Sequence, residues 1–374
     1  MINQTLKKLR PAIIPAFFAI VVFGGAIITR PQGIGSYRPG PVAVDHGTPP
    51  AGVNLLYVHD PNMPTWLTGY DWSGKVRGTV RFNRGQVGTM APDGQSFVMN
   101  AGGKGGSGTF FDNVGQPFPW QGGALEYASN VWADDSRHMC TVSLDQQTFE
   151  WALNTQLPAE AIKRVATIAR DPGAGQSGIS LLACTFRNDL AIAVRTTIAW
   201  PAELWVIRLS DGTVLAHHAY PFQELATLIA SADGQYLGEN VISTTSESKL
   251  GGAVTARIRR VSDWTVVAML PANDGALGFS GDGSFVLVST EPKLNPQPRL
   301  FQIVDWKAGS VIWRNPTKTL TSFTVEPGGT SFALALQRPQ SPSVAYPDPA
   351  RDVTIVRGDG TSTTLASRFY QTAW

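Results

Sequence analysis

Short apolar runs alternate with small polar knots along most of this chain, and the knots reuse a few residue types. In "LGFSGDGSFVLVST" (277–290) two apolar runs flank a knot ending in Asp282-Gly283. "VGTMAPDGQSFVMN" (87–100), "VWADDSRHMCTVS" (131–143), "LIASADGQYLGENVIS" (228–243) and "FTVEPGGTSFALAL" (323–336) repeat the phrase. Each predicts a β-hairpin, because Gly readily takes the positive φ of a tight turn and Asp or Asn tolerates it. The turn aspartates Asp93, Asp135, Asp233 and Asp282 are 42, 98 and 49 residues apart. Since 98 is twice 49, one more copy belongs between Asp135 and Asp233, and "ACTFRNDLAIAVRTT" (183–197) supplies it with Asn188-Asp189.

A second hairpin class alternates with the first, and its turns fall at Asp71, Asn113, Asn154, Asp211, Asp263, Asp305 and Asp359. An Asx side chain bonds backbone amides two residues on, so the choice has a mechanism. Counting back from Asp71 places a missing first-class turn near residues 41–51, within "VAVDHGTPPAGVNLLYVHD" (42–60). Seven pairs of hairpins at a period of about 40–55 residues predict an all-β fold. The expected architecture over residues 42–374 is a seven-bladed β-propeller of four-stranded antiparallel blades. Both hairpin classes then turn on one face, and the longer connections lie on the other.

The "APDG" and "SADG" hairpins resemble the tryptophan–aspartate-like (WD40-like) propeller repeats of TolB-type periplasmic proteins. The overall pattern is similar to the seven-bladed propellers of the YVTN and lactonase-like group. The resemblance covers residues 42–370 and implies a fold rather than an activity. "VDWKAGSVIW" (304–313) also resembles a quinoprotein repeat, a combination absent from the other six copies.

The N-terminus breaks the pattern. Lys7, Lys8 and Arg10 precede a run without charge from Pro11 to Thr29, and such a run spans about 28 Å as a helix. Residues 1–30 are therefore expected to form a transmembrane signal anchor, with the basic end cytoplasmic and the C-terminal domain extracytoplasmic. The alternative is a cleaved signal peptide, since Gly24 and Ala26 have the spacing a signal peptidase reads. Residues 31–41, "PQGIGSYRPGP", have the composition of a linker.

Of 374 residues, 43% are hydrophobic and 16% charged, which supports a large core and argues against disorder. The formal net charge of +2 gives no support for a nucleic-acid partner. Cys140 and Cys184 are too few for a disulfide framework or a four-ligand zinc site, and both sit in apolar runs. They are expected to be small buried hydrophobes with free thiols.

No motif names a chemistry. "AGGKGGSG" (101–108) lacks the Gly-Lys-Ser/Thr order of a phosphate loop, and "GQSGI" (175–179) lacks the last Gly of a nucleophile elbow. His217 and His218 are adjacent on an expected strand and would point to opposite faces, whereas His138 could meet Asp134 or Asp135. Most tryptophans, including Trp151, Trp205 and Trp313, read as core; Trp200 in "AWPAE" reads as loop. No catalytic residue, metal site or cofactor is expected.

Candidate ligand-binding residues come from the long-loop face: Arg84, Lys104, Arg170, Trp200, Lys249, Lys293, Arg299 and Arg338. The expected role is a non-enzymatic platform for a protein, glycan or other envelope ligand. The alternatives are a lactonase-like hydrolase with its site in the central funnel and a structural part in an envelope complex. The hydrolase needs a ring of inward-pointing Asp, Glu, Asn or His at blade starts, for which Glu126, Glu224 and Asn273 are the nearest candidates.

Overall fold

The computed structural model describes residues 43–45, most of 54–337, 351–365 and 371–373. Residues 1–42 and the connections 101–108, 119–126, 170–176, 243–253, 291–299 and 338–350 lie outside the described residues. The expected anchor and linker fall in that excluded part, and no helix among the described residues is long and apolar enough to cross a membrane.

All described regular structure is β. The chain opens with β1 (Ala43–Asp45), β2 (Leu55–Asp60), β3 (Met63–Asp71) and β4 (Val76–Arg81). Six four-stranded antiparallel sheets follow, each made of consecutive strands. The first contains β5 (Gln86–Met90), β6 (Ser96–Asn100), β7 (Thr109–Asp112) and β8 (Pro117–Phe118). Next come β9 (Tyr127–Trp132), β10 (Met139–Leu144), β11 (Trp151–Gln156) and β12 (Lys163–Ile168). The third holds β13 (Ser177–Thr185), β14 (Leu190–Thr197), β15 (Trp200–Arg208) and β16 (Val214–Ala219). The fourth holds β17 (Leu225–Ala230), β18 (Tyr236–Ile242), β19 (Val254–Arg260) and β20 (Val266–Met269). β21 (Asp274–Phe279), β22 (Phe285–Thr290), β23 (Leu300–Asp305) and β24 (Ser310–Asn315) make the fifth. β25 (Leu320–Val325), β26 (Phe332–Gln337), β27 (Arg351–Val356) and β28 (Ser362–Thr364) make the sixth. Finally β29 (Gln371–Ala373) returns to the start, giving a composite sheet in the order β1-β4-β3-β2-β29.

That return corrects the first-copy expectation. β1 and β2 do not pair as a hairpin, and residues 46–53 between them lie outside the described residues; the strand beside β2 is β29, with Tyr57 opposite Ala373. β1 instead lies on the far edge, against β4. A second correction concerns Asn154, which is buried in the middle of β11 rather than at a turn. Its amide donates to the Ser143 hydroxyl and the Ala152 carbonyl, so a strand interior absorbs a residue whose type suggested a corner.

The five sheets from β9 to β28 run from a buried interior to a more exposed trailing strand. β14, β22 and β26 are nearly continuous in buried apolar residues because neighbouring sheets cover both their faces. The trailing strands β16, β20 and β28 are mostly exposed, and the large apolar residues left in solvent cluster on such edges: Val214, Leu215, Val266, Met269 and Val311.

The turns after the leading strands share one geometry. At 231–236 the Ser231 amide donates to the Tyr236 carbonyl and the Ser231 hydroxyl accepts from the Tyr236 amide, while Asp233 Oδ1 accepts from Gln235. Ser280, Asp282, Ser284 and Phe285 repeat it. The fourth residue takes positive φ at Gly94, Ser136, Gly234 and Gly283. The β13–β14 hairpin, with its positive φ one residue later at Asp189, bears out the copy placed between Asp135 and Asp233.

Successive sheets are tied through these same turns. The Asp93 amide donates to Ser136 Oγ, and Asp134 accepts from the Thr185 hydroxyl and the Phe186 amide. Asn188 donates to the Asp233 carbonyl, the Asp282 amide to Gly329, and Asn54 to Pro327. The last link joins the sixth four-stranded sheet to the composite one. β29 also touches β5 on one side and β25 on the other. The result is a propeller-like repeat of antiparallel sheets.

Cys140 and Cys184 form a disulfide between β10 and β13, with Cα atoms 6.3 Å apart. This overturns the expectation of free thiols: the two residues are 44 apart in sequence but sit in adjacent sheets.

Candidate functional site

Most of the candidate long-loop residues, Arg84, Lys104, Arg170, Lys249, Lys293, Arg299 and Arg338, lie outside the described residues. Trp200 is described and is not in a loop: it begins β15, opposite Thr197 of β14. A bulge between Arg195 and Thr196 accommodates Pro201, so the proline does not end the strand.

Glu126 and Asn273 also fall outside the described residues, whereas Glu224 stands directly before β17. Its counterpart is Asp274, the first residue of β21, one position beyond the Asn273 named from sequence. The shared signal is a proline three residues upstream: the Glu224 amide donates to the Pro221 carbonyl and the Asp274 amide to that of Pro271. Both acids are engaged. Glu224 pairs with Arg257 at 3.2 Å, and buried Asp274 accepts from the Thr290 hydroxyl and from Gln302 Nε2 at 3.1 Å.

Behind Glu224 lies a buried ionic cluster. The fully buried Glu239 on β18 binds Arg257 Nε through one oxygen, and through the other Arg259 Nε at 2.9 Å and the Tyr220 hydroxyl at 3.1 Å. Arg257 and Arg259 share one face of β19 because strand side chains alternate with period two. Burial, then the Glu239 charge, push the Tyr220 phenol well above its ordinary range, so it stays a donor. Arg259 also bonds the Trp264 carbonyl and lies 5.1 Å above the Trp264 ring, against which His218 stacks. Burial, then the Arg259 charge, hold His218 below its ordinary value.

His217, next along β16, faces the other way. It stacks on Trp205 with ring centres 5.0 Å apart and lies 3.5 Å from Glu203, whose other oxygen is 2.7 Å from buried Arg195. The opposite-face expectation for the two histidines therefore holds, and so does the core assignment of Trp151 and Trp205. His138 does meet a carboxylate, with Nδ1 2.5 Å from Asp135 Oδ2. Burial opposes ionisation of Asp135, but hydrogen bonds from His138 and the Arg137 amide hold its pKa below the usual value. Among the described residues no three His, Cys, Asp or Glu side chains gather into a metal-binding group.

Tyr220 and His218 join the Glu239–Arg259–Trp264 cluster to the preceding sheet, whereas the Arg195–Glu203–His217 and Asp135–His138 groups each lie within one sheet. No protein-family model and no curated protein matches the chain.

Proposed function

We propose that residues 42–374 form a seven-bladed β-propeller that acts as a non-enzymatic docking platform. Residues 1–30 hold it at the outer side of the cytoplasmic membrane, and a protein, glycan or other envelope ligand docks on the long-loop face. The observation that carries the platform reading is the engagement of Glu224 and Asp274. Glu224 is the described one of the hydrolase candidates, and it and its counterpart Asp274 are held by Arg257, Thr290 and Gln302. The turn-to-turn links and the contacts of β29 with β5 and β25 support a closed ring. The Cys140–Cys184 bond supports an oxidising, extracytoplasmic compartment. Arg84, Lys104, Arg170, Trp200, Lys249, Lys293, Arg299 and Arg338 are the proposed ligand contacts.

Site-specific photo-crosslinkers in whole cells test this. Probes at Lys249 and Lys293 should yield discrete adducts, and probes at Asp211 and Asp263 on the turn face should not; the reverse pattern refutes the face assignment. Fractionation should place the chain in the membrane. A soluble mature chain beginning near Ile27 refutes the anchor.

A further inference from the structure

The repeat lets one interface between sheets be compared with the next, residue by residue. Strand register makes Leu190, Val206, Leu215 and Ala216 of the β13–β16 sheet the counterparts of Tyr236, Ile258, Val267 and Ala268 of the β17–β20 sheet. One sheet further on, Trp306 directly follows β23 and packs into the cluster that contains Tyr236, Ile258, Val267 and Ala268. Its ring meets Tyr236 edge-on with centres 4.9 Å apart, and its indole N–H donates to the Gly283 carbonyl at 2.8 Å.

At the preceding interface the residue directly after β19 is Val261, which packs with Leu190, Val206 and Ala216. Its short side chain leaves the place of the indole unfilled. A cavity of about 600 Å³ stands there, lined by Leu190, Val206, Leu215, Ala216, Gly234 and Val261 among others. The first four are the counterparts of the residues that hold the Trp306 ring. Gly234 is the counterpart of Gly283: each is the fourth residue of its turn, with φ of 68° and 73°, and each donates its amide to the serine that opens the turn. The strands and turns bordering the cavity, residues 185–190, 204–216, 231–236 and 258–262, are all described. Its size is within the range of small-ligand pockets. Arg260 is the one charged residue of the lining, with a side chain 47% exposed. Its Nη1 donates to Asp263 at 2.8 Å, and a guanidinium has further N–H donors beyond that one.

We propose that this cavity is a binding site for a small molecule that carries an indole ring and a carboxylate. The ring takes the place that Trp306 fills in the next interface, its N–H donates to the Gly234 carbonyl, and the carboxylate pairs with Arg260. The site is at the turn end of the sheets, so it stands or falls separately from the long-loop platform.

The test is saturation-transfer NMR on the full-length protein with indole-3-acetate, which should bind saturably at or below millimolar concentration. Val261→Trp supplies the ring from the chain itself and should abolish binding while raising the melting temperature. Leu215→Glu, at a side chain in a residue 47% exposed, puts a negative charge at the cavity and should weaken binding at least tenfold, which keeps the test decisive if Val261→Trp fails to fold. Arg260→Gln should weaken indole-3-acetate about tenfold, the size of one lost charged hydrogen bond, and leave neutral indole unchanged. No saturable binding at millimolar ligand, binding undiminished in Leu215→Glu or in folded Val261→Trp, or benzoate bound as tightly as indole-3-acetate overturns the proposal.

Discussion

Reducing the Cys140–Cys184 bond should lower the melting temperature of the domain by several degrees without altering its sheets. The half-cystines are 44 residues apart, and closing a loop of that length removes about 4 kcal/mol of unfolded-state entropy at room temperature. The native state has little to lose, because the same two sheets stay tied by Asp134 to Thr185 and Phe186 and by Ser129 to Leu181. Residues 40–374 form one compact unit, and a domain of that size unfolds with an entropy of roughly 0.7 kcal/mol/K. The expected drop is therefore about 5–6 °C. Scanning calorimetry with and without reductant measures it, with thiol alkylation and mass spectrometry confirming both states. Cys140→Ala with Cys184→Ala separates the cross-link from packing: it should melt slightly below the reduced wild type. A reduced protein that melts within a degree of the oxidised one refutes the reasoning.

Glu239→Gln should cost about 3–5 kcal/mol in urea unfolding, since it leaves Arg257 and Arg259 facing a neutral amide in a buried site. An unchanged midpoint would mean the cluster is solvated. Because the folded pKa of His218 lies below its ordinary 6.5, the unfolded chain binds the proton first as pH falls. Stability should therefore decline as pH drops below about 6.5 through the folded value, and His218→Phe should flatten that part of a melting-temperature profile between pH 7.5 and 5. Gly281→Ala would put Cβ 1.9 Å from the Glu326 carbonyl oxygen, so it should cost about 1–3 kcal/mol or more; Gly275→Ala, with nothing nearer than 3.7 Å, should be close to neutral. Deleting residues 366–374 removes β29, and the single cooperative unfolding transition should be lost in calorimetry.

Sequence reading recovered the elements whose cause is local. A turn needs a positive φ and an Asx or Ser side chain to hold its amides, and both requirements are written within six residues, as at Ser280–Phe285. Pairings made by distant segments left no such mark. Gln371–Ala373 carries no alternation long enough to announce a strand, yet it completes the composite sheet. Cys140 and Cys184 read as core hydrophobes because nothing local signals that two neighbouring sheets bring them together. Asn154 and Trp200 failed for the opposite reason. Residue type suggested a turn or a loop, and strand pairing overrode it through the hydrogen bonds of Asn154 and the bulge beside Pro201. Glu224 was legible and Asp274 was missed by one residue, since the upstream proline fixes both only once the strand register is known.

The pairing of β29 with β2 also sets an order of events during biosynthesis. Tyr57 must wait for Ala373, more than three hundred residues later, which at usual elongation rates is about 15–60 s. Through that interval the flank of β2 stays unpaired, an open template for any passing extended chain. Contacts this far apart also form slowly once available. Early shielding of that flank, for instance by a chaperone, would therefore govern how much folded protein a cell obtains.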